Sequence, residues 1–259
     1  MKYKFRFDEE FLGNRLLDLS YEETCLVRVI VNGGHNACIR GYKPDRIVNA
    51  IKLVLSDTNV PVVEAPCDCS LEQFCGGGPE LKKGYASDAD KGILVMRNLE
   101  EFRSSVVEMA VVPMITLSRS GGTVQYPAKF QLLSTIDGNS DSMKAHSLTS
   151  RVEIDYFCKE DTDRTPVSLK DVKACVETDW VQHLGRNDYN FKNQELLTTE
   201  MVKFTTEAQS KFENEIKYNY SNPLKIVKVA RSVADMKGHS YIRCSDLEAA
   251  MLWHTPQFV

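Results

Sequence analysis

The sequence feature that most constrains the fold is the uninterrupted apolar stretch Gly-Ile-Leu-Val-Met at residues 92–96. A strand without a polar face must be covered on both sides, which is typical of a central strand in a parallel sheet. Further short strands are predicted at residues 36–40, 60–65, 130–136 and 152–157. Helices are predicted at residues 21–31, 46–55 and 100–112. This alternation predicts an α/β fold with a parallel sheet.

Local signals support several of these elements. Ser20 and Glu23 form a Ser-x-x-Glu capping box at the start of the first helix. Asp45 is expected to cap the second helix. Residues 115–118 and 123–126 flank Arg119-Ser-Gly-Gly122, which predicts a β-hairpin with glycines in its turn.

The pattern changes near residue 160, where a polar link begins. After it, helices are predicted at residues 168–181, from Thr198 or Thr199 toward residue 216, and at residues 223–236 and 245–253. We therefore predict an α/β core at residues 1–160 and a small all-helical domain at residues 161–259.

Charge and composition limit the function classes. The formal net charge is −4, so the chain as a whole is not a binder of polyanions, although a local basic face is compatible with that sum. No apolar run approaches membrane-spanning length and no secretory leader is visible. We expect a cytoplasmic protein without a membrane segment, in which the eight cysteines are reduced thiols.

Several collinear segments carry a family resemblance. They are Val31-Asn-Gly-Gly-His-Asn36, Glu64-Ala-Pro66, the Gly76–Gly78 triplet, and residues 89–102, 117–119, 126–132, 228–235 and 242–249. In order and spacing they resemble the Mg-chelatase-type AAA+ ATPases, in the branch of the ComM-like proteins. The resemblance implies a P-loop-like three-layer core with a parallel sheet, followed by a helical lid. It also implies relatives that act in recombination and branch migration on DNA.

The phosphate loop of that family is altered here. A working loop needs the pattern G-x-x-x-x-G-K-[ST], in which backbone amides and a lysine hold phosphate and a hydroxyl holds Mg²⁺. Placed by the preceding landmark, the loop falls on residues 41–48 and keeps only Gly41. Ile47 stands at the lysine position and Val48 at the hydroxyl position. Lys43 and Arg46 are the residues that could supply charge from elsewhere.

The remaining ATPase positions are altered in the same way. Hydrolysis needs one carboxylate to organise Mg²⁺ and another to orient water, but the strand at residues 92–96 ends in Arg97-Asn98. The polar sensor position holds Asp137, and the sensing arginine of the lid falls at Ser221. Arg151 matches the family's arginine finger; the alternative reading is a structural salt bridge.

The cysteine cluster at residues 67–75 has two interpretations, a zinc site and ordinary reduced thiols. Cys67, Cys69 and Cys75 together with His35 could supply four ligands, but the spacing C-x-C-x₅-C is not a standard one. We therefore expect no metal site and no cofactor.

Two groups of basic residues are further candidates for a binding role. Arg119 at the predicted hairpin, with Lys129 beyond it, could contact nucleic acid; the alternative is a purely structural hairpin. Lys225, Lys228 and Arg231 recur every third residue and predict a basic stripe on the helix at residues 223–236. Such a stripe usually faces solvent; the family resemblance also allows it to face the nucleotide cleft or a neighbouring subunit.

Three functions follow, of different classes. The first is a catalytically inactive AAA+ homologue that serves as a scaffold, regulatory or assembly subunit, pairing with itself or with an active AAA+ ATPase. The second is a nucleic-acid-binding module. The third is a weak nucleotide-binding protein or ATPase with unorthodox phosphate contacts through Lys43 or Arg46.

Overall fold

The computed structural model describes residues 15–254 except residues 111, 113, 120–121, 139–147, 149–151, 161–162 and 187–191. The strands, in chain order, are β1 (Leu16–Leu17), β2 (Ala37–Gly41), β3 (Val62–Ala65), β4 (Gly76–Gly77), β5 (Lys82–Lys83), β6 (Ile93–Met96), β7 (Met114–Arg119), β8 (Gly122–Pro127), β9 (Gln131–Asp137), β10 (Ile154–Cys158) and β11 (Val167–Ser168). The α-helices are α1 (Tyr21–Gly33), α2 (Asp45–Leu55), α3 (Leu71–Cys75), α4 (Tyr85–Asp88), α5 (Ser104–Met109), α6 (Leu169–Arg186), α7 (Thr206–Lys211), α8 (Pro223–Met236) and α9 (Cys244–Leu252).

Five of these strands form one parallel sheet in the order β10-β2-β9-β6-β3. The strand that precedes the predicted phosphate loop, β2, therefore lies between β9 and β10, the last two strands of this sheet in chain order. One strand, β9, separates it from β6. The predicted parallel α/β sheet is confirmed, and its arrangement agrees with the P-loop AAA+ fold.

Apolar clusters cover both faces of the sheet. One cluster joins α1, α2, α6, α8 and α9 to one face and includes Ile30, Ile51 and Ile226. The other joins α3, α4 and α5 to the opposite face through residues such as Phe74 and Phe102. The core thus has three layers, as predicted, with further helices following it in the chain.

Several local predictions are confirmed. Both halves of the Ser20–Glu23 capping box form, and the first helix ends at left-handed Gly34. The predicted hairpin also forms, with Arg119 opposite Gly122. It runs one residue further than predicted at each end.

Two predicted helix caps are wrong. Asp45 does not cap α2; Pro44 is the N-cap, and the Asp45 carboxylate bonds to Arg97 and Thr135. In the helical region, Thr199–Met201 forms only one 3₁₀ turn. The helix begins after Thr205, whose hydroxyl accepts a hydrogen bond from the amide of Ala208, and it continues as a π-helical turn at Phe212–Ile216.

The predicted helix at residues 100–112 is also wrong in its length. A 3₁₀ turn at Leu99–Glu101 is separated from α5 by an extended Phe102.

The basic stripe on α8 is a further correction. Lys225 and Arg231 are buried, Arg231 at 1% exposure, so this face of the helix does not face solvent. Arg231 forms a bidentate contact with Asp235 one turn away, and Lys228 Nζ donates to the carbonyl of Gln194. The three-residue spacing correctly indicated one helix face but not what covers it.

No helix among the residues that the structure describes has the length and apolar character needed to cross a bilayer. The division of the chain at residue 160 stays a prediction.

Candidate functional site

The candidate site lies at the carboxyl edge of the parallel sheet. In α/β sheets ligands bind outside this edge, where loops leave the strands. Gly41 ends β2 and lies opposite Asp137 of β9, and the Gly138 amide donates to the Gly41 carbonyl over 3.1 Å. Arg97 follows the last residue of β6 on the same edge. The structure therefore brings together most of the predicted nucleotide-site positions.

The connection from β2 to α2 is only three residues long, and amides in it and in the first turn of α2 are already used. Gly41 has φ +94°, and a side chain there would meet the Cys158 carbonyl at 2.4 Å. The amide of Tyr42 donates to the same carbonyl over 3.0 Å. The amides of Arg46 and Ile47 donate to the carbonyls of Lys43 and Pro44. A phosphate would have to displace these bonds to be cradled by the loop.

Ile47 and Val48, at the lysine and hydroxyl positions, are completely buried. Both belong to the apolar cluster on the α1–α2 face of the sheet. They point into the core because α2 is amphipathic and this face covers the sheet. Neither residue reaches the edge where a phosphate would bind.

Arg46 is tied into the fold. Its guanidinium contacts the buried carboxylate of Glu23 and donates to the carbonyls of Tyr42, over 2.5 Å, and Lys43, over 2.9 Å. It closes the loop onto the start of α1. Arg46 could therefore receive a phosphate only by giving up these bonds.

Lys43 differs from Arg46 in its surroundings. It is exposed, has a left-handed backbone with φ +47°, and its Nζ lies 5.0 Å from the centroid of the Tyr42 ring. No ion pair to Lys43 is found among the described residues. Lys43 is thus the loop cation that remains available to an anion.

Arg97 is the residue that the sequence predicts at the position of the metal-organising carboxylate. Its guanidinium forms ion pairs with Asp45 and Glu64, both over 2.8 Å, and donates to the side-chain oxygen of Asn49, also over 2.8 Å. Glu64 additionally binds Lys52 over 2.6 Å. One arginine thereby joins the end of β6 to β3 and to the first two turns of α2.

Thr135 extends this arrangement into the sheet, and nothing in the sequence had indicated it. This buried residue of β9 donates from its hydroxyl to Asp45 over 3.1 Å. The same hydroxyl accepts from the amide of Asn98 over 3.2 Å, which holds Asn98 in a left-handed conformation with φ +52°. We call Asp45, Asn49, Glu64, Arg97 and Thr135 the edge network.

Together with Lys52, which pairs with Glu64, the charges of the edge network balance one another. Burial alone would raise the pKa of Glu64, but the hydrogen bond from Lys52 and the charge of Arg97 lower it below its usual value. Glu64 is therefore an anion already neutralised by two cations. A magnesium ion with a nucleotide needs unpaired carboxylates beside free donors. The described residues of this edge do not fit that requirement.

Asp137 is exposed at the end of β9, and its amide lies 3.4 Å from a carboxylate oxygen of Glu100. Two acidic side chains therefore stand beside the loop position where a phosphate would approach. Their repulsion toward a phosphate adds to the loss of the donors.

The two candidate nucleic-acid contacts are not brought together. Arg119 ends β7 at the turn of the hairpin, whereas Lys129 lies two residues beyond Pro127 at its base. At the rise of a β-strand, the six-residue arms separate the two positions by about 17 Å. Arg151, the proposed finger, and the turn at residues 120–121 lie outside the described residues.

The residues that could bind zinc contact different partners in the structure. His35 is fully buried, and its Nε2 lies 2.8 Å from the hydroxyl of Ser232 on α8. Cys67 Sγ lies 3.1 Å from a carboxylate oxygen of Glu101. Among the described residues no group of three or more His, Cys, Asp or Glu side chains is arranged to hold a metal ion.

Two comparisons with known proteins indicate similarity to the same family. Residues 53–157 match the family model described as magnesium chelatase, subunit ChlI. A stretch of 72 residues is 33% identical to competence protein ComM of Haemophilus influenzae and covers 26% of this chain. The match spans only 14% of the length of that relative. Both findings confirm the resemblance predicted from the sequence.

Proposed function

We propose that this chain, a member of the Mg-chelatase-type, ComM-like family, acts through binding and not through ATP hydrolysis. The observation that carries the proposal is Arg97, whose guanidinium is paired with Asp45 and Glu64 at the place where the family's chemistry needs a carboxylate for Mg²⁺. A cation there repels the metal, and its ion pairs occupy the acidic groups nearby.

The other positions support the same conclusion independently. Ile47 and Val48 are buried in the core, and the Arg46 guanidinium is held by Glu23 and two carbonyls. Restoring hydrolysis would therefore require changes in α2, in the loop before it and at the end of β6. A chain with a well-packed core and no such site is best explained as a scaffold, regulatory or assembly subunit.

The proposed partner is a second copy of the chain or an active AAA+ ATPase. In an assembly with an active ATPase, Arg151 is the residue that would be offered to the neighbouring subunit's nucleotide. Sedimentation velocity over a range of protein concentrations, alone and with a candidate ATPase, tests the assembly. A monomer under every condition would contradict the assembly role while leaving the question of ATP hydrolysis untouched.

The direct test of the site is calorimetric titration with ATP and ADP, with and without Mg²⁺, together with a phosphate-release assay. We expect no Mg²⁺-dependent heat and no phosphate release above the buffer. The matched variant is Arg97→Asp, which returns a carboxylate to the metal position. Magnesium-dependent binding by the unaltered chain would contradict the proposal.

The weak nucleotide-binding alternative rests on Lys43, the exposed cation of the loop. It predicts Mg²⁺-independent ATP binding that falls when Lys43 is changed to Ala. Unchanged affinity in Lys43→Ala would remove this alternative, because Arg46 is engaged elsewhere.

The nucleic-acid alternative rests on the β7–β8 hairpin. Four of its polar side chains are exposed, namely Thr116, Ser118, Thr123 and Gln125, and Arg119 stands next to its turn. This alternative predicts retention of DNA at low salt that weakens steeply as salt is added. Arg119→Ala should reduce it, while Lys170→Ala, which removes an exposed cation from α6, serves as the control.

A further inference from the structure

A large cleft lies at the amino edge of the sheet, opposite the edge network. Its volume is about 980 Å³, within the range of pockets that hold small organic ligands. It is bordered by the starts of β6 and β9, the end of α5 and the 3₁₀ turn at Asn193–Glu195. None of the positions considered for nucleotide chemistry lies in it.

Two lysines stand side by side at this cleft. The amide of Lys91 donates to the carbonyl of Lys129 over 2.7 Å, and the Lys129 amide donates to Asp90 over 3.0 Å. These bonds fix the two backbones next to each other, and both side chains are exposed. Neither ammonium group has an ion-pair partner among the described residues. Two neighbouring cations without a counter-ion favour an anion between them.

Apolar and polar groups line the cleft beyond the lysines. Ala128, Phe130 and Leu132 provide an apolar surface. Gln131, which is 92% buried, donates from Nε2 to the carbonyls of Ile30 and His35. Its Oε1 has no hydrogen-bond partner among the described residues.

Lys192 closes one side of the cleft. Its stem lies against Gly34, where a side chain would meet the Lys192 Cδ at 2.5 Å, and its Nζ donates to the carbonyl of Val31 over 3.1 Å. Burial lowers the pKa of this amine to about 7. A ligand anion nearby would favour its charged form and add to the attraction of the two exposed lysines.

We infer that the amino-edge cleft binds a small organic anion that carries an apolar body. The anionic group lies between Lys91 and Lys129, and the body rests on Ala128, Phe130 and Leu132. Glu108 and Glu195, which also line the cleft, disfavour a second anionic group on the ligand. Such a site gives the chain a ligand that does not depend on the altered nucleotide edge.

The probe for this inference is 8-anilinonaphthalene-1-sulfonate, an aromatic sulfonate whose fluorescence rises in apolar surroundings. We expect saturable binding to the folded chain with one site per molecule. Binding should weaken at least tenfold in the double variant Lys91→Ala/Lys129→Ala. The double variant Lys82→Ala/Lys217→Ala removes the same charge from exposed positions elsewhere and should bind like the unaltered chain.

Three further measurements make the result decisive. Circular dichroism must show that each variant unfolds at the same temperature as the unaltered chain, and Lys91→Arg/Lys129→Arg should retain binding. The neutral probe N-phenyl-1-naphthylamine should bind weakly and be insensitive to the lysine changes. Competition by 1-naphthoate and by 1-naphthyl phosphate then distinguishes a carboxylate ligand from a phosphate ligand. No saturable binding, or equal loss in the two double-alanine variants, would overturn the inference.

Discussion

Two polar networks of similar composition lie in very different surroundings. The edge network around Arg97 is partly exposed, with side-chain exposures of 20% for Arg97, 38% for Glu64 and 46% for Asp45. A second network, which we call the interface network, joins α1, α6 and α8 in the interior. Its members are His35, His183, Asn193, Arg231, Ser232 and Asp235.

The interface network is continuous and almost free of solvent. The Ser232 hydroxyl lies 2.8 Å from His35 and 3.0 Å from the Asn193 amide nitrogen. One oxygen of Asp235 lies 2.8 Å from His183 and 2.9 Å from the same amide nitrogen. The other oxygen accepts from Arg231 over 2.7 Å. Each of these side chains is at most 5% exposed.

This difference in solvent exposure determines how much each polar contact contributes to the free energy of unfolding. At the sheet edge, water can replace a lost partner, so each contact contributes little. In the interior, a lost partner leaves a desolvated charge or an orphaned donor, which costs several times more. We therefore expect the edge network to decide which ligands the edge accepts and the interface network to decide whether the helices stay packed on α1.

The largest expected effect is that of Asp235→Ala. It removes the carboxylate that neutralises Arg231, which is 1% exposed, and takes one acceptor each from His183 and Asn193. We expect a loss of about 3–5 kcal/mol in the free energy of unfolding. Urea denaturation followed by circular dichroism measures it.

The matched control for this substitution is Glu248→Ala. Glu248 also pairs with a cation, Lys211, but its side chain is 56% exposed. We expect a change of at most about 1 kcal/mol. Equal losses in the two variants would refute the contrast between buried and exposed ion pairs.

The two networks also differ in how far the sequence could predict them. The strand at Ile93–Met96 and the Ser20–Glu23 capping box were predictable because their signals are local. Arg97 was predictable as an altered position, but not its partners, since Asn49 and Glu64 lie 48 and 33 residues away in the chain.

Long-range packing likewise explains the wrong predictions. Aspartate is a residue type that favours helix N-caps, but Arg97 and Thr135 bind the carboxylate of Asp45 instead. Lys225 and Arg231 have the spacing of an exposed stripe, but α8 is buried among α1, α6 and α9. A residue's propensity is local, whereas its burial depends on elements far away in the chain.

The second prediction concerns acid sensitivity of the interface network. Burial, with the charges of Lys228 and Lys192, lowers the pKa of His35 to about 3. Below pH 6.5 the unfolded chain binds a proton at this histidine and the folded chain does not, so stability falls with pH down to about 3. Over the two pH units from 6.5 to 4.5 this amounts to about 2–3 kcal/mol.

The variant that isolates this effect is His35→Gln, which keeps a side chain able to bond to Ser232. Urea denaturation at pH 6.5, 5.5 and 4.5 should show a shallower loss in the variant. Identical pH dependence of the two proteins would contradict the assignment. The Asp235 carboxyl does not interfere. The usual pKa of an aspartate already lies below this pH range, and the folded protein lowers the pKa of Asp235 below that value.

The third prediction tests whether the backbone or the ion pairs hold the sheet edge together. Gly41→Ala places a methyl group 2.4 Å from the Cys158 carbonyl in a residue with φ +94°. We expect a loss of about 2 kcal/mol in unfolding free energy. Gly138→Ala is the control, since its φ is also positive, at +68°, but no atom of the described residues lies within 4 Å of the added methyl group. A loss as large in Gly138→Ala would show that φ alone matters.

The smallest expected effect is that of Arg97→Ala. The substitution breaks two ion pairs and one hydrogen bond, but Asp45 and Glu64 can be hydrated, and Glu64 keeps Lys52. We expect a loss of about 1 kcal/mol in urea denaturation. Adding Lys52→Ala should cost no more than about another 1 kcal/mol, with coupling through Glu64 of about 0.5 kcal/mol. A loss above 3 kcal/mol for Arg97→Ala alone would mean that the edge network is as essential to folding as the interface network, since solvent would then not be replacing its partners.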